Sequence, residues 1–271
     1  MATQIQQAER FLALHHQPQP LLLPNPWDVG SAKLLAWLGF SALATTSSGF
    51  AGTVGRLDGN VTRDEALAHA AAIVRATDLP VSADLENGFA DSPAGVAETM
   101  ELAAMAGLAG CSVEDFTGRD GDPIYDRSLA ADRIAAAAEV AASGPIRLVL
   151  TARAENYLHG RPDLADTIAR LQAYQEAGAD VLYAPGLRDL ADIRQVVSSV
   201  DLPVNVLALP GGPPIPELAA AGVRRVSVGG AFAFAALGAV VQAATELREQ
   251  GTYGYGALAA VGRAAAMESF K

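Results

Sequence analysis

The stretch Ala177-Gly178-Ala179-Asp180-Val181-Leu182-Tyr183 contains the unit that decides the fold: an apolar helix end, a glycine, a short spacer and an apolar strand. Glycine after a helix favours the left-handed backbone that closes it, and a buried strand can follow at once. The same unit occurs at Leu38-Gly39 before 42–44, at Ala106-Gly107 before 111–113 and at Ala221-Gly222 before 226–228. The chain therefore repeats a helix followed by a strand.

Four further strands are predicted directly after prolines. They are Leu21–Leu23 after Pro20, 81–83 after Pro80, 147–150 after Pro145 and 204–206 after Pro203. Proline suits the start of a strand because its missing N–H is not yet needed for pairing. Between the strands lie Ala- and Leu-rich segments of helical length, one of which opens with Thr62 and Glu65 as a capping box.

Eight short buried strands separated by helices predict a parallel sheet in an α/β fold. The sheet could be open and doubly wound, but eight units without a dinucleotide-type glycine fingerprint after the first strand favour a closed (β/α)8 TIM barrel. No low-complexity linker interrupts the pattern. We therefore expect residues 1–271 to form one barrel domain, with an extra C-terminal helical region at 231–271.

Composition restricts the partners and the compartment. The formal net charge is −11, and the acidic residues are spread along the chain, which disfavours nucleic acid or an anionic membrane as a partner. The chain has one cysteine and four histidines, too few for a disulfide or a typical zinc cluster. Because the N-terminus also lacks signal-peptide features, a cytoplasmic location is expected.

Carboxylates follow the predicted strands, at the end of a barrel where active sites form. Asp84 and Glu86 follow the third strand, and the two-residue period of an extended chain would place them on one side. Glu114 ends the fourth strand and Asp58 lies in the loop after the second. Oxygen ligands without Cys or His favour Mg²⁺, although each acid could also be a helix cap or a solvated loop charge.

Arg153 is the single cation at these strand ends, and its planar fork suits a carboxylate or phosphate. The alternative is a salt bridge to Glu155 or Glu114. Hydroxyls and flexible backbone around Ser48, Gly49 and Phe50 could form an anion-binding nest.

Lysine is almost absent, since only Lys33 and Lys271 accompany seventeen arginines. Neither lysine follows a barrel strand, which disfavours Schiff-base chemistry. Cys111 lies in mid-strand and is expected to be a buried structural thiol. Surface positions are expected for His15, His16 and His69, whereas His159 closely follows a strand end.

These residues resemble the isocitrate lyase/phosphoenolpyruvate mutase superfamily from about Asn25 to Gly251. The motifs that carry the resemblance are Asn25-Pro26-Trp27-Asp28-Val29-Gly30-Ser31-Ala32-Lys33, Ser48-Gly49-Phe50, Asp58, Asp84-Leu85-Glu86-Asn87-Gly88-Phe89, Glu114-Asp115 and Thr151-Ala152-Arg153.

The resemblance implies a Mg²⁺-dependent enzyme, with Mn²⁺ as a substitute, that acts on 2-oxo acids through an enolate. It implies that Asp84 holds the metal directly, while Asp58, Glu86 and Glu114 act mostly through its waters. It further implies that Arg153 and the backbone of residues 48–50 hold the substrate carboxylate. The candidate catalytic residues are Asp58, Glu114 and Arg153; the candidate metal ligands are Asp84, Glu86 and Glu114; the candidate substrate-binding residues are Ser48, Gly49, Phe50, Asp84, Arg153 and Asn205.

The loop after the fourth strand departs from both well-known branches of the superfamily. Residues 117–126 lack the cysteine thiol and the histidine imidazole that the isocitrate lyases share in this loop. They also lack the lysine that the mutases have there. Residues 183–186 also lack the histidine that the mutase branch has after strand six. Tyr125, Tyr157 and His159 are left as loop candidates for proton transfer.

Three functions follow as hypotheses. The first is a Mg²⁺-dependent lyase that cleaves a C–C bond of, or decarboxylates, a 2-oxo or 2-hydroxy acid. The second is C–P chemistry on phosphonopyruvate or phosphoenolpyruvate, and the third is a catalytically silent 2-oxo acid binding protein. The resemblance also implies a homo-oligomer, a dimer or tetramer, in which the last barrel helix packs on a neighbouring subunit. The alternative for residues 231–247 is an ordinary helix buried in its own barrel.

Overall fold

A computed structural model describes residues 2–271 and contains one eight-stranded parallel sheet in the order β1-β8-β7-β6-β5-β4-β3-β2. The strands are β1 Leu21–Leu23, β2 Leu43–Ala44, β3 Val81–Asp84, β4 Gly110–Glu114, β5 Val149–Arg153, β6 Val181–Tyr183, β7 Val204–Leu207 and β8 Arg225–Ser227. The first strand pairs with the last, with Leu21 opposite Arg225. Between β1 and β2 the N–H of Ala44 donates to Pro24 O at 3.1 Å. The sheet is thus a nearly closed (β/α)8 barrel, which confirms the predicted fold and excludes an open sheet.

Helices alternate with the strands as predicted. Their bounds are α1 Gln4–Leu14, α2 Val29–Trp37, α3 Ser47–Thr53, α4 Arg63–Ala76, α5 Pro93–Met105, α6 Arg127–Ser143, α7 Leu164–Glu176, α8 Leu190–Ser198, α9 Ile215–Ala220, α10 Ala231–Gln250 and α11 Gly256–Ser269. The Thr62/Glu65 capping box is present at the start of α4. Gly178, in the segment after α7, has φ +98°, a left-handed conformation that glycine adopts without strain. The capping box and the glycine thus begin and end these helices where the sequence predicts.

Helix α1, which the sequence pattern did not predict, closes the N-terminal end of the barrel. Phe11 is fully buried there and packs with apolar residues at the strand starts, including Leu21 and Val149. His15, at the end of the same helix, is buried as well, so the expected surface position is wrong for this residue. The reason is that α1 folds under the barrel and carries His15 into its interior.

The main core lies between the sheet and the surrounding helices. Cys111 belongs to it and is fully buried, with Sγ 3.2 Å from the Met100 sulfur. Burial raises the pKa of this thiol to about 12, so it stays protonated. The predicted structural role of Cys111 is confirmed.

The C-terminal helices leave an apolar surface uncovered. In α10 only Ala233 is buried, whereas Phe234 is 54% and Val241 65% exposed. On β1 the outward-facing Leu22 is 42% exposed, so the barrel wall also lacks a covering helix there. The alternative of an ordinary helix buried in its own barrel is therefore wrong for α10. This helix is also the one among residues 2–271 that is long and apolar enough to cross a membrane, a test that helices of soluble proteins pass too.

Candidate active site

A polar cavity of about 180 Å³ opens at the carboxyl ends of the strands. Five of the predicted residues line it: Ser48, Asp58, Asp84, Arg153 and Asn205. A second cavity, of about 300 Å³, adjoins it and shares the residues Ser47, Asp58, Arg153 and Leu158. Glu86, Glu114, Glu155 and His159 line the second cavity. The barrel thus brings together most of the side chains that the sequence singled out.

Arg153, the last residue of β5, is the electrostatic centre of the site. Its Nη1, Nη2 and Nε lie 2.8, 3.0 and 2.8 Å from carboxylate oxygens of Asp84, Glu114 and Glu155. Burial disfavours its charge, but these acids, Glu114 foremost, raise the pKa of Arg153 and keep it protonated. The salt bridges considered as an alternative for Arg153 are therefore present, in the same cavity where it would meet a substrate.

Asp84 ties β3 to the loop that follows β2. Its Oδ2 accepts from the Ser47 N–H at 3.1 Å, and its own N–H donates to Thr45 Oγ1 at 2.9 Å. Its Oδ1 accepts from Arg153, so both carboxylate oxygens are held in place. The side chain is consequently fixed at the cavity wall before any ligand arrives.

Glu86 reaches the site by a route that the strand pattern did not predict. The strand ends at Asp84, and Glu86 lies in a turn with φ +49° that the Gly88 N–H closes on Leu85 O at 2.7 Å. The expected extended chain is therefore wrong at this position. Burial, and then the nearby Asp84 and Asp58, raise the pKa of Glu86 to about 8.

The buried Arg133 supports this turn from below. Its Nη1 donates to Glu114 O at 3.1 Å, and its Nη2 donates to Ala90 O at 3.0 Å and to Asn87 O. Two of these carbonyls lie in or just after the turn that follows β3, and the third belongs to the last residue of β4. One guanidinium therefore ties the turn that carries Glu86 to the strand end that carries Glu114. The sequence offered no signal for this role, since Arg133 lies in the middle of α6, far along the chain from any strand end.

The other acids are perturbed in the same direction. Burial raises the pKa of Glu155 to about 7 and also raises that of Glu114, although Arg153 opposes both shifts. Asp58 lies on the exposed loop after α3 but lines both cavities, and partial desolvation followed by the charge of Asp84 raises its pKa. Burial, followed by the charges of neighbouring acids, thus disfavours the ionised form of each of these carboxyls, and such a cluster of perturbed acids is typical of a functional site.

The predicted anion nest is only partly free. Ser48 lines the main cavity and its Oγ lies 3.2 Å from Thr46 Oγ1. A Cβ at Gly49 would lie 2.5 Å from the Thr46 side chain, so this close approach requires glycine. The Phe50 N–H donates to Thr46 O within α3, and its ring stacks on His69 at 3.9 Å outside the main cavity. That stacking half-buries His69, so the expected surface position is wrong for it too.

Asn205 lies at the floor of the cavity, where sequence reasoning missed two neighbours. Its Nδ2 donates to Ser227 Oγ at 2.9 Å and its Oδ1 accepts from Arg225 Nε at 3.0 Å. Arg225 and Ser227 lie two residues apart on β8 and both face the cavity. The two-residue period of a strand could therefore have predicted them as cavity residues.

The three loop candidates for proton transfer are placed differently. Tyr125 is buried against Asp91, and neither Tyr125 nor Tyr157 lines either cavity. His159 does line the acidic cavity, stacked on Phe116 at 3.7 Å with Nε2 3.9 Å from a Glu155 oxygen. Burial lowers the pKa of His159. Of these three candidates, only His159 faces the site, where it lies beside the carboxyl of Glu155.

The donor set fits a hard divalent cation held largely through water. No group of three or more Asp, Glu, His or Cys side chains within residues 2–271 is arranged for direct coordination. The site nevertheless presents oxygen donors in excess of positive charge, and Mg²⁺ keeps several waters and uses few direct carboxylates. Of the predicted ligands, Asp84 lines the main cavity, whereas Glu86 and Glu114 line the adjoining one, so the three acids do not form a closed cage.

A nearly closed (β/α)8 barrel with acids and an arginine at its carboxyl end defines a class of small-molecule enzyme. Residues 11–248 match the model of the phosphoenolpyruvate phosphomutase family. The chain therefore belongs to this family, within the isocitrate lyase/phosphoenolpyruvate mutase superfamily of lyases and mutases, and is an enzyme of that class.

Three relatives illustrate the range of the superfamily. A solved Burkholderia cenocepacia J2315 protein, provisionally described as a lyase/mutase, is 57% identical, with 93% of this chain and 91% of that chain covered and a TM-score of 0.91. The 2-methylisocitrate lyase of Escherichia coli (strain K12) is 32% identical over 72% of this chain and 67% of that protein. The structure of a 2,3-dimethylmalate lyase is 27% identical, with coverages of 94% and 90% and a TM-score of 0.82.

Proposed function

We propose that this chain is a Mg²⁺-dependent lyase that cleaves a C–C bond next to a 2-oxo or 2-hydroxy carboxylate, decarboxylation included. The observation that carries the proposal is Arg153, which is buried among three carboxylates at the mouth of a polar cavity. Such a site can hold a cation and an anionic substrate side by side. The lyases among its relatives support this reaction class.

The metal would be held directly by Asp84 and through water by Asp58, Glu86 and Glu114. When bound, Mg²⁺ would supply positive charge at the position where an enolate oxygen develops. Mn²⁺ would substitute, since it prefers the same oxygen ligands.

The protein side chains would perform the remaining tasks. The Ser48 hydroxyl and the guanidinium of Arg153 would orient the substrate carboxylate. For a 2-oxo acid, the electron pair of the breaking C–C bond moves onto the 2-oxo oxygen, the other fragment leaves as CO2 or a carbonyl compound, and the enolate carbon then takes up a proton. For a 2-hydroxy diacid, a base removes the hydroxyl proton as the bond beside the hydroxyl carbon breaks, so that carbon leaves as the 2-oxo acid, and the carboxylate-bearing fragment takes the electron pair and is then protonated. A carboxyl with a pKa of about 7, such as Glu155, exchanges protons readily near neutral pH, and His159 lies beside it.

The proposal is tested by incubating the purified protein with a panel of 2-oxo and 2-hydroxy mono- and diacids, with Mg²⁺ and with chelator. We expect product from at least one acid in the presence of Mg²⁺, and none after chelation or in Arg153→Met. Arg147→Met is the matched control, because Arg147 forms an exposed salt bridge to Asp180 away from the cavity.

The other outcomes discriminate between the alternatives. Phosphate release from phosphonopyruvate, without turnover of the carboxylic acids, would assign C–P chemistry instead. Tight 2-oxo acid binding that depends on Arg153, without turnover of any compound, would indicate a binding protein.

We further propose a cytoplasmic homotetramer of single-domain subunits, in which the region 231–271 contacts a neighbouring subunit. The exposed apolar side of α10 and the uncovered Leu22 on β1 support an exchanged helix. A second subunit could cover both surfaces at once.

A further inference from the structure

Arg225 is a buried cation at the floor of the main cavity, and no acidic side chain of residues 2–271 pairs with it. Its side chain extends from β8 across the barrel, and the residue is only 4% exposed. Within residues 2–271 no carboxylate lies within 4.0 Å of its guanidinium. Burial lowers the pKa of Arg225 only to about 10, so it remains charged at neutral pH. A charge in this position is costly unless something compensates it.

All its hydrogen-bond partners within the described chain are neutral. Nε donates to Asn205 Oδ1 at 3.0 Å, and Nη1 donates to Thr151 Oγ1 at 3.0 Å. The third partner is His15, whose Nε2 lies 3.2 Å from Nη1. Burial and the charge of Arg225 lower the pKa of His15 to about 3, and its Nδ1 lies 2.7 Å from Phe11 O. His15 is thus a neutral imidazole whose Nε2 accepts from Arg225.

One nitrogen of the Arg225 guanidinium, Nη2, is available to a ligand. Nη2 makes no hydrogen bond within residues 2–271, and it is not among their fully buried partnerless atoms. Since Arg225 lines the main cavity, Nη2 is the nitrogen that can meet a bound molecule.

The other arginines in the interior have different surroundings. Arg170 lies against Asp115 and Asp166, and Arg153 against three acids. Arg133 has no ion pair within residues 2–271, but it donates to backbone carbonyls and lines neither of the two cavities of the site. Of these four arginines, Arg225 is the one that lacks a counter-charge within residues 2–271 and also lines the main cavity.

We propose that Arg225 binds a second carboxylate of the substrate and makes this enzyme selective for dicarboxylic acids. The inference rests on the proposed function, in which residues at the cavity mouth hold the first carboxylate. The acids and the metal position lie at the mouth, and the unpaired guanidinium lies at the floor. A diacid would complete the charges at both ends, whereas a monoacid would leave Arg225 unpaired.

The test is calorimetric binding of malonate against propionate and of succinate against butyrate, all with Mg²⁺. For the unmodified protein we expect the dicarboxylate of each pair to bind more tightly. In Arg225→Met we expect dicarboxylate affinity to fall about 10- to 100-fold and monocarboxylate affinity to change less than about twofold. Arg225→Lys should retain part of the preference, because it keeps the charge.

Arg224→Met is the matched control, since the neighbouring Arg224 points to the outside and donates to carbonyls of Gln17 and Pro18. Equal losses for both acids of a pair, or no loss for either, would overturn the role of Arg225. If the circular dichroism melt shows that Arg225→Met does not fold, Arg225→Lys is compared with Thr151→Val, which removes one neutral partner of Arg225. If Thr151→Val loses the preference for dicarboxylates as fully as Arg225→Lys does, the role of Arg225 is structural. Because binding is measured without turnover, a failure of the proposed reaction would leave this result readable.

Discussion

Glu86 shows at the scale of a single residue how burial among other acids keeps a carboxyl of the site in its neutral form. It is a half-buried carboxyl in a left-handed turn, facing Asp84 and Asp58, with a pKa of about 8. Its proton is therefore retained in the native protein between about pH 4.5 and 8, where an unfolded chain releases it. The unfolded state binds fewer protons in this window, so this group makes stability fall as pH rises.

Glu86→Gln should remove that loss. We expect the metal-free variant to be about 1 to 2 kcal/mol more stable than the unmodified protein at pH 8, after allowance for partial exposure, and about equal at pH 4.5. The rise in melting temperature on adding Mg²⁺ should be smaller than in the unmodified protein. Urea unfolding at both pH values checks the first result, with the exposed Glu101→Gln on α5 as control. A less stable Glu86→Gln at pH 8 would contradict the interpretation.

His15 titrates with the opposite effect. Its pKa is lowered to about 3, so the native imidazole stays neutral while the unfolded one gains a proton below about pH 6.5. The unfolded state then binds more protons, and stability should fall by roughly 2 to 5 kcal/mol as pH falls from 6.5 towards 3. His15→Gln should flatten this dependence in chemical unfolding curves. The exposed His16→Gln should leave it unchanged, and an unaltered slope in His15→Gln would rule the assignment out.

At the scale of elements, α1 matters as much as a barrel helix although it precedes the repeat. It presents Phe11 to the apolar floor formed by strand starts, and the Phe11 ring approaches the Cα of Gly110 so closely that a Cβ there would lie 2.9 Å from it. The helix thereby separates the barrel interior from solvent. It also positions the imidazole that contacts Arg225.

Phe11→Ala should therefore destabilise the whole domain rather than fray one end. We expect a loss of about 3 to 5 kcal/mol in the free energy of unfolding, typical of a large cavity in a packed core. Ile5→Ala, on the exposed side of the same helix, should cost less than about 0.5 kcal/mol. A comparable loss in both variants would indicate that helix formation, rather than packing under the barrel, is being measured.

At the scale of the whole molecule, the isolated chain leaves its C-terminal region incompletely packed. Helix α11 contacts α2, where Phe270 lies near Gly30, but most of the apolar residues of α10 face outward. Contiguous exposed apolar surface of this kind is typical of an interface. The proposed assembly would cover this surface.

Val241→Asp should disrupt the proposed assembly. A charge in a helix–helix interface is unfavourable, so we expect the molar mass measured by light scattering to fall towards that of one chain, with a lower melting temperature. Glu249→Gln, near the exposed end of the same helix, is the control and should keep the oligomer. A monomeric unmodified protein would exclude the proposed assembly altogether.

Much of the architecture was predictable because its signals are local. The glycine that ends a helix and the proline that starts a strand act within a few residues, and all eight predicted strands are present. The acids at the mouth and Arg153 were predictable for a related reason, since the carboxyl ends of parallel strands must meet at one edge.

By itself, the sequence determined the number of strands, their order along the chain, the barrel and the acidic character of its mouth. The tertiary structure alone decided that α1 fills the opposite end and that Glu86 turns in through a left-handed backbone. It also decided that Arg225 lies at the floor among neutral partners, with no carboxylate of residues 2–271 beside it. The physical reason is distance along the chain. Arg225 meets His15 across 210 positions and Thr151 across 74, and no local pattern encodes contacts that exist only after the barrel has closed.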